Sequence, residues 1–182
     1  RAEKLEGDAV LLTAVPDDAE AFAPILVQRL REVFVAFHHR LGEIAFCTTC
    51  LCDCCSHMEA LRVKAIAHYG PFLIKEVAGF REIAGQEVIR AHRLLKNTVE
   101  SDEYLMLTDA VAGLSGAGQS LSMSRHEEED PSLGTTGVWV HFPKDHSLFR
   151  TVEGGTYVQR LNQMWAYFDE EKSRDSLIPA AK

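Results

Sequence analysis

The strongest constraint on the fold of this chain is a helical pattern that runs almost directly into a short apolar strand. Within Gln86–Lys96, the apolar residues Val88, Ala91 and Leu95 recur at spacings of three and four, which predicts a helix with one buried face. Tyr104–Thr108 (YLMLT) is a short apolar run bounded by polar residues, which is typical of a buried strand. A helix beside a buried strand favours a layered fold in which helices cover a sheet.

Two hairpins and a long helix are predicted upstream of this segment. Ala2–Leu5 and Ala9–Ala14 flank a Gly-Asp pair that favours a tight turn, so they are predicted to form a β-hairpin. Pro24–Arg40 carries apolar residues at spacings of three and four and is predicted to be helical. Leu61–His68 alternates in polarity as a strand does, and Phe72–Val77 follows it after a Tyr-Gly-Pro turn. We therefore expect these last two segments to pair as a second hairpin.

The order of these elements predicts an α+β fold with an antiparallel sheet and helices on one face. Gly137–Phe142 is predicted to be the last strand, and a Gly- and Ser-rich loop and the acidic patch Glu127–Asp130 precede it. Thr156–Phe168 has apolar residues at helical spacing and is predicted to form an amphipathic C-terminal helix. We expect one α+β domain over residues 1–143 and a C-terminal extension over residues 144–182.

Length and charge exclude several classes of protein. A chain of 182 residues is long enough to bury a sizeable core without disulfides, and 46% apolar with 25% charged residues is typical of a soluble globular protein. The net charge of -8 argues against nucleic-acid binding, which needs clustered Lys and Arg. No apolar run approaches the roughly 18–20 residues that cross a bilayer. We therefore expect a cytoplasmic protein with neither nucleic-acid nor membrane partners.

Three segments of the chain resemble the catalytic domain of class III adenylyl and guanylyl cyclases. They are EKLEGDAVLL from Glu3, LRVKAIAHYGPF from Leu61 and GFREIAGQEVIRAHRLLKN from Gly79. Five residues of the third segment match the cyclase pattern G-x-x-V-N-x-A-x-R-L, namely Gly85, Val88, Ala91, Arg93 and Leu94. The resemblance covers about Lys4–Phe142 and is strongest to an uncharacterised bacterial branch of that superfamily. It implies a ferredoxin-like, nucleotide-cyclase-like fold whose first strand and helix are missing ahead of Arg1.

The resemblance implies roles for four polar residues. Lys4 and Glu82 stand where the family contacts the nucleotide base, and a Glu carboxylate accepts hydrogen bonds from an exocyclic amine as an Asp does. Asp8 stands where the family holds catalytic Mg²⁺ or Mn²⁺, hard cations that take oxygen ligands. Arg93 stands where the family places the arginine that neutralises phosphate charge in the transition state. Together these residues imply a site for a nucleoside triphosphate.

One residue departs from the cyclase pattern. Ile89 occupies the position of the family's active-site Asn, and its side chain neither donates nor accepts a hydrogen bond. Losing one positioned polar group from such a site costs on the order of a hundredfold in rate. The sequence therefore favours a catalytically degenerate cyclase-homology domain that binds a nucleotide or a partner in a signalling or regulatory role. The resemblance also implies a homodimer, because cyclase sites form between two subunits. The alternative is an active adenylyl cyclase that converts ATP to cyclic AMP.

The five cysteines of the chain lie close together in one segment. They are Cys47, Cys50, Cys52, Cys54 and Cys55. A C-x-x-C pair followed by C-x-C supplies thiolates for tetrahedral Zn²⁺, and His57 or a second subunit would complete the site. Free or redox-active thiols and an intrachain disulfide are the alternatives. A zinc- or thiol-based regulatory module is therefore a third hypothesis for the function.

Overall fold

The computed structural model describes residues 1–48, 50, 52–114, 116–119 and 121–143. The predicted C-terminal helix and the extension that contains it lie outside the described residues. The strands, in chain order, are β1 (Ala2–Glu6), β2 (Ala9–Leu12), β3 (Lys64–Ala67), β4 (Leu73–Val77), β5 (Phe80–Ala84), β6 (Tyr104–Thr108), β7 (Ser124–Asp130) and β8 (Gly134–His141). The helices are α1 (Ala19–Cys47), α2 (Asp53–Ser56), α3 (Gln86–Arg93) and α4 (Asp109–Ala112), with a 3₁₀ turn at Met58–Ala60.

The described residues fall into two compact units, one of residues 1–33 and 62–143 and one of residues 34–61. The first unit contains every strand and all four of the residues predicted to contact a nucleotide or its metal. The second contains the cysteine-rich segment. Within the described residues, every helix is too short or too polar to span a bilayer.

Helix α1 confirms the predicted long helix and extends it at both ends, from Ala19 to Cys47. Its start is set by Asp18, whose Oδ1 accepts a hydrogen bond from the backbone N–H of Ala21 at 3.1 Å. This N-cap interaction satisfies one of the free amides at a helix start. The apolar pattern used for prediction does not contain this capping contact, so it places the start of the helix too late.

The two hairpins turn on residues with positive φ. β1 and β2 pair antiparallel around Gly7, with φ of 63°, which confirms the predicted first hairpin. β4 and β5 pair around Ala78 and Gly79, with φ of 52° and 81°, the backbone conformation that favours a two-residue hairpin turn. The predicted pairing of Leu61–His68 with Phe72–Val77 is therefore wrong, because the second segment pairs with β5 instead.

The main sheet has the strand order β3-β6-β8-β7. β6 and β8 are antiparallel, as are β7 and β8, but β3 runs parallel to β6. The α+β class is confirmed, whereas the prediction of a wholly antiparallel sheet is wrong at this pair. A parallel pair needs a long crossover connection, and between β3 and β6 the chain forms the β4–β5 hairpin and helix α3.

β7 is an edge strand that the sequence does not predict. Its residues, SRHEEED, include the predicted acidic patch and are mostly charged, as the residues of edge strands often are. Glu128 is the buried residue of this strand, with 7% of its surface exposed. Its carboxylate accepts hydrogen bonds from the backbone N–H and the hydroxyl of Thr98, both at 2.9 Å. The buried carboxylate of this strand therefore has its hydrogen-bond donors within the chain.

The core of the main sheet is built on β6, whose five residues are all buried. Leu105 and Leu107 are 0% exposed, as are Tyr104 and Met106, which confirms the predicted buried strand. A strand that is covered on both faces has a continuous apolar sequence rather than an alternating one. One cluster of buried side chains contains Leu94, Tyr104, Met106, Val138 and Val140. Because Leu94 follows directly after α3, this cluster anchors the end of that helix to the sheet.

Candidate functional site

Two hairpins from distant parts of the chain are joined by an ion pair. Arg81 on β5 donates from Nε and Nη2 to the carboxylate of Glu3 on β1, at 3.3 and 3.2 Å. Glu3 also accepts a hydrogen bond from the Thr13 hydroxyl at 2.6 Å, and its side chain is 5% exposed. The Thr13 hydrogen bond and the Arg81 guanidinium hold the pKa of Glu3 below its ordinary value. This charge-assisted contact fixes β1 beside β5.

Two of the predicted nucleotide-contacting residues, Lys4 and Glu82, are the chain neighbours of Glu3 and Arg81, the two residues of this ion pair. The ammonium of Lys4 lies 2.5 Å from the carboxylate of Glu6. This contact raises the pKa of Lys4, and the negative charge of Glu82 raises it further. His92, on α3, lies 3.4 Å from the other carboxylate oxygen of Glu6. We call Lys4, Glu6, Glu82 and His92 the Lys4 cluster.

The other two residues predicted for the nucleotide site, Asp8 and Arg93, lie outside the Lys4 cluster. Asp8 is exposed on the turn between β1 and β2, and it makes no hydrogen bond or ion pair among the described residues. Arg93 is the last residue of α3, and its Nη1 lies 2.8 Å from the carboxylate of Asp130 on β7. The Arg93 guanidinium is the main cause that lowers the pKa of Asp130. Arg93 is therefore neutralised by an acid of its own chain.

Ile89 and Arg93 share an exposed face of helix α3, as their spacing of four predicts. Ile89 is 50% exposed, and the Arg93 side chain is 48% exposed. An isoleucine in this position contributes little to the packing of the core. The departure from the cyclase pattern at Ile89 is therefore a change of surface chemistry, and core packing does not require it.

A hydrogen-bonded network that the sequence does not predict joins the end of β3 to α3 and β8. His68 lies between Thr108, at 2.9 Å from Nδ1, and Glu87, at 2.7 Å from Nε2. Arg90 donates to Glu87 at 3.0 Å and to the hydroxyl of Thr136 at 2.7 Å. Hydrogen bonding to His68, and then to Arg90, lowers the pKa of Glu87. Both ring nitrogens of His68 have partners, so this histidine holds the first turn of α3 against the sheet.

A second unpredicted contact lies where Asp109 begins helix α4. Trp139 on β8 donates its indole N–H to Asp109 Oδ1 at 2.7 Å, and Arg125 on β7 donates to Oδ2 at 3.0 Å. The Arg125 guanidinium, with help from Trp139, holds the pKa of Asp109 below its ordinary value. Gly137 lies against this carboxylate, and a side chain there would overlap Asp109 and Arg125. A side chain at this point of β8 would therefore displace the Asp109–Arg125 pair.

We expect the fluorescence of Trp139 to report the protonation of Asp109. A Trp165→Phe background leaves Trp139 as the sole tryptophan of the chain. Because the pKa of Asp109 is lowered, the carboxylate stays ionised and the emission stays constant until the pH falls below the ordinary value of 3.8. Protonation then removes the charge that Arg125 and Trp139 bind, so the emission changes and the stability from this contact is lost. Asp109→Asn is the control, and an identical acid transition in that variant would contradict the assignment.

Three of the five cysteines form a cluster around helix α2. The sulfur atoms of Cys50, Cys52 and Cys55 lie within 4.8 Å of one another. Cys54 is exposed and outside this group, and the side chain of Cys47 lies outside the described part of the chain. The four cysteines with described side chains are free thiols. Of the four thiols with described side chains, three therefore lie together.

Comparison with known proteins identifies the family of this chain. Residues 1–104 match the family described as Protein of unknown function (DUF2652). The chain belongs to the DUF2652 family. The matched part of this DUF2652 chain contains the Lys4 cluster, Arg93 and the three clustered cysteines, whereas strands β7 and β8 lie beyond it.

A mycobacterial protein is similar to this DUF2652 chain. It is the Uncharacterized protein Rv2561/Rv2562 of Mycobacterium tuberculosis (strain ATCC 25618 / H37Rv), which is 35% identical over 109 residues. The match covers 60% of the chain and 50% of the relative, so the DUF2652 chain spans about half the length of the curated relative that it matches. No solved structure matches the chain. Family membership therefore shows a relationship and carries no activity with it.

Proposed function

We propose that this chain is a cyclase-homology domain that binds a nucleoside triphosphate without turning it over, in a signalling or regulatory role. The observation that carries the proposal is the ion pair between Glu3 and Arg81, because it holds together the two hairpins on which their chain neighbours Lys4 and Glu82 lie. The Lys4 ammonium donates hydrogen bonds and the Glu82 carboxylate accepts them, so the pair matches both kinds of group on the edge of a purine base. The same two positions contact the base in the cyclases that the sequence resembles.

Asp8 is the residue that would hold a cation in the proposed site. Its carboxylate is exposed at a hairpin tip and has no partner among the described residues. Mg²⁺ takes oxygen ligands and is often held by one or two carboxylates together with substrate phosphates and water. A single carboxylate at this turn therefore fits Mg²⁺ or Mn²⁺ as one protein ligand, and the nucleotide would supply further oxygens.

Two observations favour binding over turnover. Arg93 is paired with Asp130 at 2.8 Å, so it would have to leave this acid before it could neutralise phosphate charge in a transition state. Ile89 provides no polar group on the same helix face, where the cyclase pattern has an Asn. A triphosphate bound at the Lys4 cluster would therefore lack two groups that stabilise the transition state in the cyclases: an arginine free of other partners and a polar side chain at the position of Ile89.

The proposal includes a homodimer. Large apolar side chains are exposed on both hairpins, with Leu5 at 78%, Phe80 at 74%, Leu73 at 62% and Leu12 at 58%. Exposed apolar surface of this kind often marks an interaction site. A second copy that covers the hairpins would bury these side chains beside the Lys4 cluster, in keeping with cyclase sites that form between two subunits.

Nucleotide binding to the full chain tests the proposal. ATP with Mg²⁺ should raise the melting temperature, because a ligand that binds the folded state alone stabilises it. Lys4→Met is expected to weaken the affinity about tenfold or more, which corresponds to a loss of about 1.4 kcal/mol or more. Lys64→Met is the matched control, because Lys64 is also a strand lysine near an acid, with its Nζ 3.6 Å from Asp102. This control should bind as the wild type does.

Two kinds of result would contradict the proposal. If neither ATP nor GTP shifts the melting temperature, or if Lys4→Met binds as tightly as the wild type, the Lys4 cluster is not a nucleotide site. Formation of cyclic AMP from ATP with Mn²⁺, lost in Asp8→Ala, would instead establish the active adenylyl cyclase.

A further inference from the structure

The three clustered thiols are held together by local backbone structure. Cys52 is the N-cap of α2, and its carbonyl oxygen accepts hydrogen bonds from the N–H groups of Cys55 and Ser56, both at 3.1 Å. This turn brings Cys52 and Cys55, three residues apart, to one side of the chain. The sulfur of Cys50 completes the group within 4.8 Å. The turn therefore fixes two of the three sulfurs before any ligand arrives.

Neighbouring thiols shift the pKa values of Cys52 and Cys55 in opposite directions. The pKa of Cys52 is lowered, first by the backbone N–H of Cys55 and then by the thiols of Cys50 and Cys55. Hydrogen bonding to Cys52, and then to Cys50, raises the pKa of Cys55 to about 12. These shifts follow from the close packing of the three sulfur atoms.

We propose that Cys50, Cys52 and Cys55 bind one Zn²⁺ through three thiolates, with the fourth tetrahedral position open to a further ligand. Zn²⁺ binds thiolates at about 2.3 Å in tetrahedral geometry, which sets its sulfur ligands about 3.8 Å apart. The three sulfurs already lie within 4.8 Å of one another, so small side-chain rotations close the site. Soft thiolate ligands select Zn²⁺ over Mg²⁺ and Ca²⁺. Each S–H proton still present passes to solvent as an S–Zn bond forms.

The cluster is open to solvent. Cys50 and Cys52 are exposed, and Cys55 is half-buried. Structural zinc sites are closed by four protein ligands, whereas sites with three protein ligands keep a position for water or another ligand. His57 lies outside the three-sulfur group, and its Nδ1 is hydrogen-bonded to the carbonyl oxygen of Asp53 at 2.8 Å. Among the residues whose side chains are described, the cluster therefore offers three protein ligands to Zn²⁺.

Zinc content and affinity of the full chain, purified anaerobically with reduced thiols, test the proposal. We expect about one Zn²⁺ per chain and an affinity that rises with pH, because the thiols must lose their protons. Cys52→Ser and Cys55→Ser should each weaken the affinity, measured by competition with a chromophoric chelator, by about tenfold or more. Cys54→Ser is the matched control, since this thiol lies on the same segment outside the cluster, and it should bind Zn²⁺ as the wild type does.

Replacement of Zn²⁺ by Co²⁺ in the wild-type chain gives a readout that does not depend on the folding of any variant. Coordination by three thiolates should produce strong sulfur-to-cobalt charge-transfer absorption, and Zn²⁺ should abolish it by displacement. A zinc content far below one ion per chain, or the absence of this absorption, would overturn the proposal. So would a loss of affinity in Cys54→Ser as large as that in Cys52→Ser.

Discussion

Truncation of Leu105 to alanine should lower the free energy of unfolding by about 2–5 kcal/mol. Leu105 is 0% exposed in β6, where it lies opposite Ala65 of β3 and His141 of β8. Removing its side chain forfeits the transfer free energy of the buried groups and leaves a cavity that the surroundings fill only in part. Because β6 is paired on both edges and buried along its whole length, the sheet has little freedom to collapse into that cavity.

Chemical denaturation followed by circular dichroism measures this difference. Leu61→Ala is the matched control, because Leu61 is also a leucine but is 54% exposed and lies outside the two hairpins of the proposed dimer contact. We expect this control to change the free energy of unfolding by no more than about 0.5 kcal/mol. If Leu105→Ala were no more destabilising than Leu61→Ala, β6 would not be the centre of the core.

Local patterns predict an element of this fold well where the element has a distinctive local sequence. The apolar run Tyr104–Thr108 identifies β6 because a central strand has both faces covered. The Gly-Asp turn identifies the β1–β2 hairpin, since Gly7 adopts a positive φ. By contrast, the charged sequence of β7 has no apolar alternation, because an edge strand with an exposed face does not need one. Its existence depends on pairing with β8, which no local pattern records.

The partner of a strand is harder to predict than the strand itself. Phe72–Val77 lies between two turn signals, the Tyr-Gly-Pro turn before it and Ala78–Gly79 after it. The second turn makes the hairpin, because its two residues both adopt positive φ. The first turn only redirects the chain, which leaves Lys64–Ala67 to pair in parallel with Tyr104–Thr108, far along the sequence.

At the candidate sites too, the sequence identifies the residues but does not predict which of them lie close together. The resemblance to cyclases selects Lys4 and Glu82, but the contact between the hairpins that carry them depends on the Arg81–Glu3 ion pair, which joins segments distant in the sequence. The pairing of Arg93 with Asp130 depends on β7 and is therefore not predictable from local sequence. The sequence does not distinguish one cysteine of the segment from another, whereas the turn at α2 brings three of the four described thiols together.

Replacement of Glu87 by alanine should destabilise the fold by about 2–3 kcal/mol at neutral pH, because hydrogen bonds to charged groups are lost and their partners stay partly buried. His68 and Arg90 would each lose a contact with this carboxylate, at 2.7 and 3.0 Å, and their side chains are only 8% and 16% exposed. Glu32→Ala is the matched control, because Glu32 also pairs with an arginine three residues away but on an exposed surface. An exposed pair of that kind contributes at most about 1 kcal/mol.

The pH dependence of the unfolding free energy distinguishes the contribution of the charged Glu87 carboxylate from the contribution of its packing. Because His68 and Arg90 lower the pKa of Glu87, its contribution is complete above the ordinary value of 4.5 and is lost as the pH falls through the lower folded value. The difference in unfolding free energy between wild type and Glu87→Ala should therefore shrink in acid, and a difference that stays constant would assign the effect to packing alone.

Gly70→Ala tests the same contact without removing it, because a Cβ there would lie 2.7 Å from Cγ of Glu87. This variant should be destabilised in the same direction, since Glu87 must move away from His68 to make room.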